Sequence, residues 1–212
     1  MRAAGLDATS NDEGKLRSQI KLLARYCPYC GFGEISQLDH FLQRNSYRLL
    51  SIFGLNLIPC CSPCNNGKRR EPSTKATEHQ LHPYLEDLSQ FSFLRATASI
   101  HAATGGLVVK YSVEQQVGMS DELFERLCAH LAEFGLQRKY EMQVNIYLGT
   151  LAYPISSSFA DRGPDGLREM LGGTACATEK RFGENDWRTA LLRGLHACPA
   201  FWQGGFKTAL GF

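Results

Sequence analysis

Four cysteines set the chemistry open to the first third of this chain. Cys27-Pro-Tyr-Cys30 and Cys61-Ser-Pro-Cys64 are two Cys-x-x-Cys knuckles, and two such pairs close together read as one tetrahedral four-thiolate zinc site. Structural zinc of this kind supplies on the order of 10 kcal/mol of folding free energy, which a small element without its own core needs. The ion pins both ends of the intervening segment, so the polar residues near it must converge: Asp39, His40, Asn56, then Asn65 directly after the last cysteine, and Lys68. A hard cation held by one carboxylate and one amide oxygen keeps most of its coordination sphere for water and phosphate oxygens. There it stabilises charge developing on a phosphodiester. An imidazole is largely neutral near pH 7 and takes a proton from water.

Plainer readings stand beside these. An Asp-His pair at a strand end is commonly a turn with a solvated carboxylate, and an Asn after a knuckle caps a helix. Lys68-Arg69-Arg70 reads equally as a solvated helix start or as a phosphate contact. His79 and His82 read as loop and packing residues. Cys60 leaves a second pairing open, with Cys64; Cys61 is preferred because Cys-x-x-Cys spacing lets both sulfurs and the intervening amides wrap one ion. Cys128, Cys176 and Cys198 read as ordinary core or surface thiols.

The elements that must position these groups follow from the pattern. Residues 1–14 lack a period and read as a flexible lead-in. Leu16, Ile20 and Leu23, widened by Leu22, give a short amphipathic helix over residues 15–26. Residues 35–38 alternate as a strand that Asp39-His40 ends, residues 46–55 form a turn or two of helix, and residues 56–60 make a second strand. Ser62 as N-cap and Pro63 at the first helical position start a helix over residues 65–70. A module boundary falls near Tyr84. Beyond it, residues 91–101 and 107–113 read as a hairpin. Ser120 caps a helix with Leu123, Leu127, Leu131 and Phe134 on its buried stripe. A second helix runs from Leu136 to about Tyr153 and stops at Pro154. Residues 165–171 and 186–196 are helical, and the Gly-rich tail at Trp202 tucks against them. Nothing in residues 85–212 has a catalytic spacing.

The chain as a whole is ordinary: 212 residues, 43% hydrophobic, 21% charged. That suffices for one large domain or two small ones. No apolar run reaches the roughly 18–20 residues of a membrane span, and the N-terminus lacks the apolar core of a signal peptide. A cytoplasmic protein without a membrane partner is expected, and reduced thiols there favour metal over disulfides. Residues 1–84 carry 11 Lys+Arg against 7 Asp+Glu and residues 85–212 carry 12 against 14, so the positive excess lies with the cysteine segment.

Taken together, Cys27-Pro-Tyr-Cys30, Leu38-Asp39-His40-Phe41, Asn56-Leu-Ile-Pro and Cys61-Ser-Pro-Cys64-Asn65-Asn-Gly-Lys68 resemble the HNH endonuclease family in its zinc-knuckle form. The resemblance covers about residues 15–84, and His82-Pro83-Tyr84 is similar to a segment closing some bacterial members. It implies an α+β chain: an N-terminal ββα-metal module with a four-cysteine zinc site, then a mostly helical accessory region, residues 85–212, with a β-hairpin. It implies His40 as general base and one Mg²⁺ or Mn²⁺ on Asp39 and Asn65. Asn56 braces the loop that aims His40, and Lys68, with Arg69 and Arg70, lies by the phosphates. The active set reads His-Asn-Asn. One departure is Gln43, where members commonly have a proline that stiffens the loop.

The expected activity is metal-dependent hydrolysis of DNA phosphodiester bonds, on double-stranded DNA approached through the minor groove, in a defence or restriction setting. Two alternatives stay open: a zinc-organised nucleic-acid-binding module without hydrolysis, and an RNA-cutting nuclease activated by a partner protein.

Overall fold

The structure, a computed structural model, describes residues 10–69 and 74–211. Helices and two small antiparallel sheets make it a mixed α+β chain. It divides into two compact units, Met1–Thr74 with Leu81–Glu86, and Lys75–Gln80 with Asp87–Phe212. None of its described helices is long and apolar enough to cross a membrane.

The first unit opens with α1 (Ser10–Lys21). It begins inside the stretch expected to be a flexible lead-in, whose residues 1–9 lie outside the described residues, and ends earlier than the apolar spacing suggests. Leu22 N–H donates to both the Ser18 and Gln19 carbonyls and Leu23 N–H to that of Ile20, the tightened last turn of a helix that is ending. Ile20 is buried but Leu22 and Leu23 are exposed, so the expected stripe stops at Ile20. The chain must turn here to bring Cys27 back into the module. Lys21 Nζ donates to the Ser36 carbonyl at 2.6 Å, tying α1 to the approach of the first strand.

That strand, β1 (Gln37–His40), pairs antiparallel with β2 (Leu57–Cys60), Gln37 opposite Cys60 and His40 opposite Leu57. Asp39 and His40 therefore lie within the ladder instead of ending it. Phe41 N–H still donates to the Asn56 carbonyl at 2.9 Å, extending the pairing one residue further. Short 3₁₀ turns at Arg48–Leu50 and Gly54–Asn56 fill the connection. A short helix, α2 (Ser62–Gly67), follows β2 at once, with Cys61 as its N-cap and Pro63 in its first turn. Ser62 is thus the first helical residue and not the cap. Its hydroxyl accepts from Gln37 Nε2 and from Asn66 Nδ2.

The second unit begins its sheet with the hairpin β3 (Leu94–Ile100) and β4 (Leu107–Val113). Helix α3 (Asp121–Glu133) is capped by Ser120, whose Oγ accepts from Leu123 N–H. Helix α4 (Leu136–Phe182) passes through Pro154 and breaks instead at Gly163, where φ is 64° and ψ −157°. A proline removes one helical hydrogen bond, whereas that backbone conformation favours glycine and leaves the helix altogether. Tyr140, Val144 and Leu148 repeat at four-residue spacing on the buried side of α4. Helix α5 (Trp187–His196) packs on both α4 and β3. A side chain at Gly194 would run into the Ala96 carbonyl, so only glycine lets α5 approach β3 this closely. A wide turn, Phe201–Gly205, and α6 (Phe206–Leu210) complete the unit.

Candidate functional site

The knuckles meet because each is short and each is followed by an element that fixes its direction. Cys27 and Cys30 sit in a tight turn closed by Gly31 N–H on the Cys27 carbonyl at 2.8 Å, with Gly31 at φ 75°. Cys61 and Cys64 lie at the cap and in the middle of α2. The four sulfurs lie within 4.8 Å of one another, all four residues buried, and Cys30 Sγ is 3.9 Å from Cys61 Sγ. Four sulfurs at about 2.3 Å from one zinc stand about 3.8 Å apart, so this cluster has the size of a zinc thiolate site. Gly33 belongs to it: an added Cβ would come within 2.7 Å of Cys61 Sγ. Its N–H instead donates to Cys30 Sγ at 3.3 Å.

The four thiols also share hydrogen bonds among themselves. Hydrogen bonds from Cys30 and Cys64 hold the Cys27 thiol far below its ordinary range, while giving its hydrogen bond to Cys27 pushes Cys30 up to about 12. Cys64 is likewise raised. Four thiolates this close repel one another, and a dication is what would let all four ionise. Cys60 is buried but stands outside the cluster. Burial, then the Asp39 charge, pushes its thiol up to about 12, so it packs as a neutral group. The pairing left open by the sequence thus resolves to Cys61 with Cys64.

Alternation along β1 sends Gln37 and Asp39 to one face and His40 to the other. On the first face Gln37 Oε1 accepts from Asn65 Nδ2, and Asp39 Oδ2 accepts from Lys68 Nζ at 2.6 Å. Asn65 and Lys68 are three apart in and just beyond α2, so one side of that helix covers the Gln37 and Asp39 side of the strand. Asp39 Oδ2 accepts a second bond from Tyr29 OH at 2.7 Å. Burial and the Asp39 charge hold the Tyr29 phenol protonated, well above its ordinary value. Asp39 Oδ1 and Asn65 Oδ1 have no hydrogen-bond partner among the described residues. Both are hard oxygen donors of the type that Mg²⁺ or Mn²⁺ takes.

On the other face His40 Nε2 lies 3.0 Å from the Ser51 carbonyl oxygen. A carbonyl only accepts, so Nε2 carries the proton and Nδ1 is the basic nitrogen. Ser51 is held by its own N–H and Oγ on the Arg48 carbonyl, and Asn56, a buried amide, ties Leu50 beside it to Leu42 in the loop after His40. Asn56 Nδ2 donates to the Leu42 carbonyl at 3.1 Å and the Leu50 carbonyl at 2.9 Å, and its Oδ1 accepts from Leu42 N–H at 2.6 Å. Gln43, where a stiffening proline is commonly found, accepts at its carbonyl from Tyr47 N–H at 2.9 Å.

Lys68 differs most from expectation. Its side chain is 7% exposed, and besides Asp39 its ammonium donates to the His40 and Phe41 carbonyls at 3.0 and 2.9 Å. It is an internal tie across the module, not a surface cation. Arg69 is exposed, and Arg70 lies outside the described residues. His82 packs on Phe41 with ring centroids 4.3 Å apart and donates from Nε2 to the Leu55 carbonyl. Sequence reasoning passed over Tyr29 and Gln37. The signal for Gln37 was its position two residues before Asp39 on one strand. For Tyr29 it was a large aromatic inside a knuckle that has room for little else.

No family model matches the chain, and no solved structure matches it. Among curated proteins, Protein ea31 of Escherichia phage lambda is 28% identical over 124 residues, 58% of this chain and 42% of that protein. The chain therefore spans less than half the length of that relative.

Proposed function

We propose that the first unit is a metal-dependent endonuclease of the HNH type, hydrolysing DNA phosphodiester bonds. One observation carries the reading. His40 sits with Nε2–H committed to the Ser51 carbonyl, on a loop that Asn56 fastens through three hydrogen bonds. That arrangement selects the tautomer whose Nδ1 accepts a proton and holds the ring still while it does so.

Asp39 and Asn65 would hold a single Mg²⁺ or Mn²⁺ through their oxygens, and the ion would stabilise the charge on the reacting phosphate. Tyr29 fixes the Asp39 carboxylate so that Oδ1 is the free donor, and Gln37 does the same for Asn65 by taking its Nδ2–H. His40 Nδ1 takes a proton from the attacking water. The four-cysteine cluster keeps β1, β2 and α2 together, which places these groups on one small frame.

A second reading, a zinc-organised nucleic-acid-binding module without hydrolysis, is favoured by Lys68, which already neutralises Asp39. Plasmid nicking in Mg²⁺ separates the two. The wild type is expected to nick and His40→Ala to lose about 10²-fold or more of the rate, with zinc content unchanged. Equal rates for the two proteins would remove His40 from the chemistry and the nuclease reading with it.

A further inference from the structure

The connection between β1 and β2 presents a group of side chains that the proposed hydrolysis does not use. Leu49, Ile52 and Phe53 are 93%, 68% and 51% exposed. They flank Ser51, whose carbonyl meets His40 Nε2 at 3.0 Å. Three large apolar side chains on one short turn are unusual unless something covers them.

The turn that carries them is built to be rigid. Leu50 N–H donates to the Tyr47 carbonyl, Ser51 N–H to Arg48, Phe53 N–H to Leu50 and Asn56 N–H to Phe53. Ser51 Oγ adds a bond to the Arg48 carbonyl at 2.7 Å. With the Asn56 brace, the tip stays formed without help from its apolar side chains. Those side chains are therefore free to be chosen for something outside the chain.

Charge says what that is. With Lys68 turned inward onto Asp39, the exposed charged residues described between His40 and Arg69 are Arg44, Arg48 and Arg69, and that stretch holds no Asp or Glu. Arg44 and Arg48 are exposed on the turn itself. A rigid apolar tip on a stretch of one sign fits a polyanion whose interior is apolar and stacked, which is a nucleic acid. Apolar wedges of this kind enter between base steps, unstack them and bend the duplex, while neighbouring cations hold the phosphates.

We propose that Leu49, Ile52 and Phe53 form a wedge that inserts between bases next to the phosphate presented to His40, with Arg44 and Arg48 holding the flanking backbone. The wedge rests on the reading of the first unit as a nucleic-acid enzyme and adds to it how substrate is gripped. A duplex with a flexible or unpaired step at the insertion point is the preferred substrate, because less stacking is lost there.

The test uses the zinc-loaded full chain without Mg²⁺ or Mn²⁺, and a short DNA duplex carrying 2-aminopurine. Binding of the wild type is expected to raise the fluorescence about threefold as the base unstacks. Ile52→Ser with Phe53→Ser is expected to abolish the rise and to weaken binding about tenfold, a loss typical of one stacking contact. The slope of affinity against salt should stay unchanged in that variant, whereas Arg48→Ala should lower it by about 0.9. Both variants change exposed side chains, and their zinc content and melting temperature should match the wild type. Unchanged affinity and fluorescence in the Ser variant overturn the wedge, and so does wild-type protein that binds no duplex at all. A dimer, or adhesion to anionic lipid vesicles, that disappears in the Ser variant assigns the tip to another occupant and also overturns it. Wild type that unstacks the base but fails to nick when Mg²⁺ is added sinks the nuclease reading and leaves the wedge standing. Nicking by wild type and Ser variant alike, with identical binding, does the reverse.

Discussion

Lys68 Nζ lies 2.6 Å from Asp39 Oδ2, with side chains 7% and 9% exposed, so the carboxylate assigned to the metal already has a cation on one oxygen. The ion pair spans the module from the residue after α2 back to β1. It neutralises Asp39 while the site holds no second charge. Breaking a buried pair from one side leaves an uncompensated charge and costs about 3–5 kcal/mol. Lys68→Met should therefore lower the melting temperature of the protein in metal-free buffer. If Asp39 is a metal ligand, adding Mg²⁺ should recover part of that loss and should stabilise the variant more than the wild type. Thermal melts of both proteins with and without Mg²⁺ check this; equal shifts would mean that the ion does not bind at Asp39.

Cys60 and Cys61 are neighbours with opposite assignments. Cys61 closes the four-sulfur cluster, and Cys60 packs as a buried neutral thiol at the end of β2. Cys61→Ala should lose the zinc and with it on the order of 10 kcal/mol of stabilisation, enough to unfold the first unit. Cys60→Ala removes one sulfur from a packed site and should keep one zinc per chain, with a stability loss of about 1–2 kcal/mol. Metal analysis of the purified proteins decides it. A zinc-free Cys60→Ala would move the ligand assignment.

The second unit carries a pH dependence that can be tested away from any metal. Burial, with the Asp186 charge behind it, holds the Tyr111 phenol protonated well above its ordinary value of 10. Its hydroxyl donates to the Trp187 carbonyl at 3.2 Å. In the unfolded chain the phenol ionises near pH 10 and in the folded chain it does not, so the unfolded state binds fewer protons above that pH. Stability is complete below pH 10 and falls as pH rises beyond it. Tyr111→Phe should cost about 1 kcal/mol at pH 8 through the lost hydrogen bond. It should also flatten the alkaline decline, so that the variant overtakes the wild type near pH 11. Urea denaturation at both values measures it, and parallel pH curves would refute it.

The knuckles, the strand–strand–helix order and the hairpin were legible in the sequence because each rests on short-range rules: paired thiols, alternation, a proline in a first helical turn. The cap of α3 was legible for the same reason. What escaped was set by contacts between distant residues. Nothing local announces that Lys68 turns inward, since its partner Asp39 lies 29 positions earlier and the basic run Lys68-Arg69-Arg70 looks like surface. The end of α1 was misjudged because Leu22 and Leu23 continue the period while the chain must leave the helix to reach Cys27. Pro154 drew the end of α4 too early, since packing of Leu148 and Ile155 in the core outweighs one missing helical hydrogen bond.

Asn56 joins the two segments that meet at His40, tying Leu42 just after it to Leu50, the neighbour of the Ser51 that accepts from His40 Nε2. Its amide serves Leu42 N–H and the Leu42 and Leu50 carbonyls at once. Asn56→Ala strands these groups and should cost about 1–3 kcal/mol, less than removing a zinc ligand. Zinc should stay bound. The loop that carries Ser51 would then drift, His40 would lose its fixed tautomer, and the nicking rate should fall about 10- to 100-fold with little change in DNA affinity. Asn56→Asp tests the donors specifically, because it keeps the shape but turns the Nδ2 position into an acceptor facing two carbonyls. It should be at least as damaging as alanine. An Asn56→Asp protein that nicks at the wild-type rate would show that the brace does not govern His40.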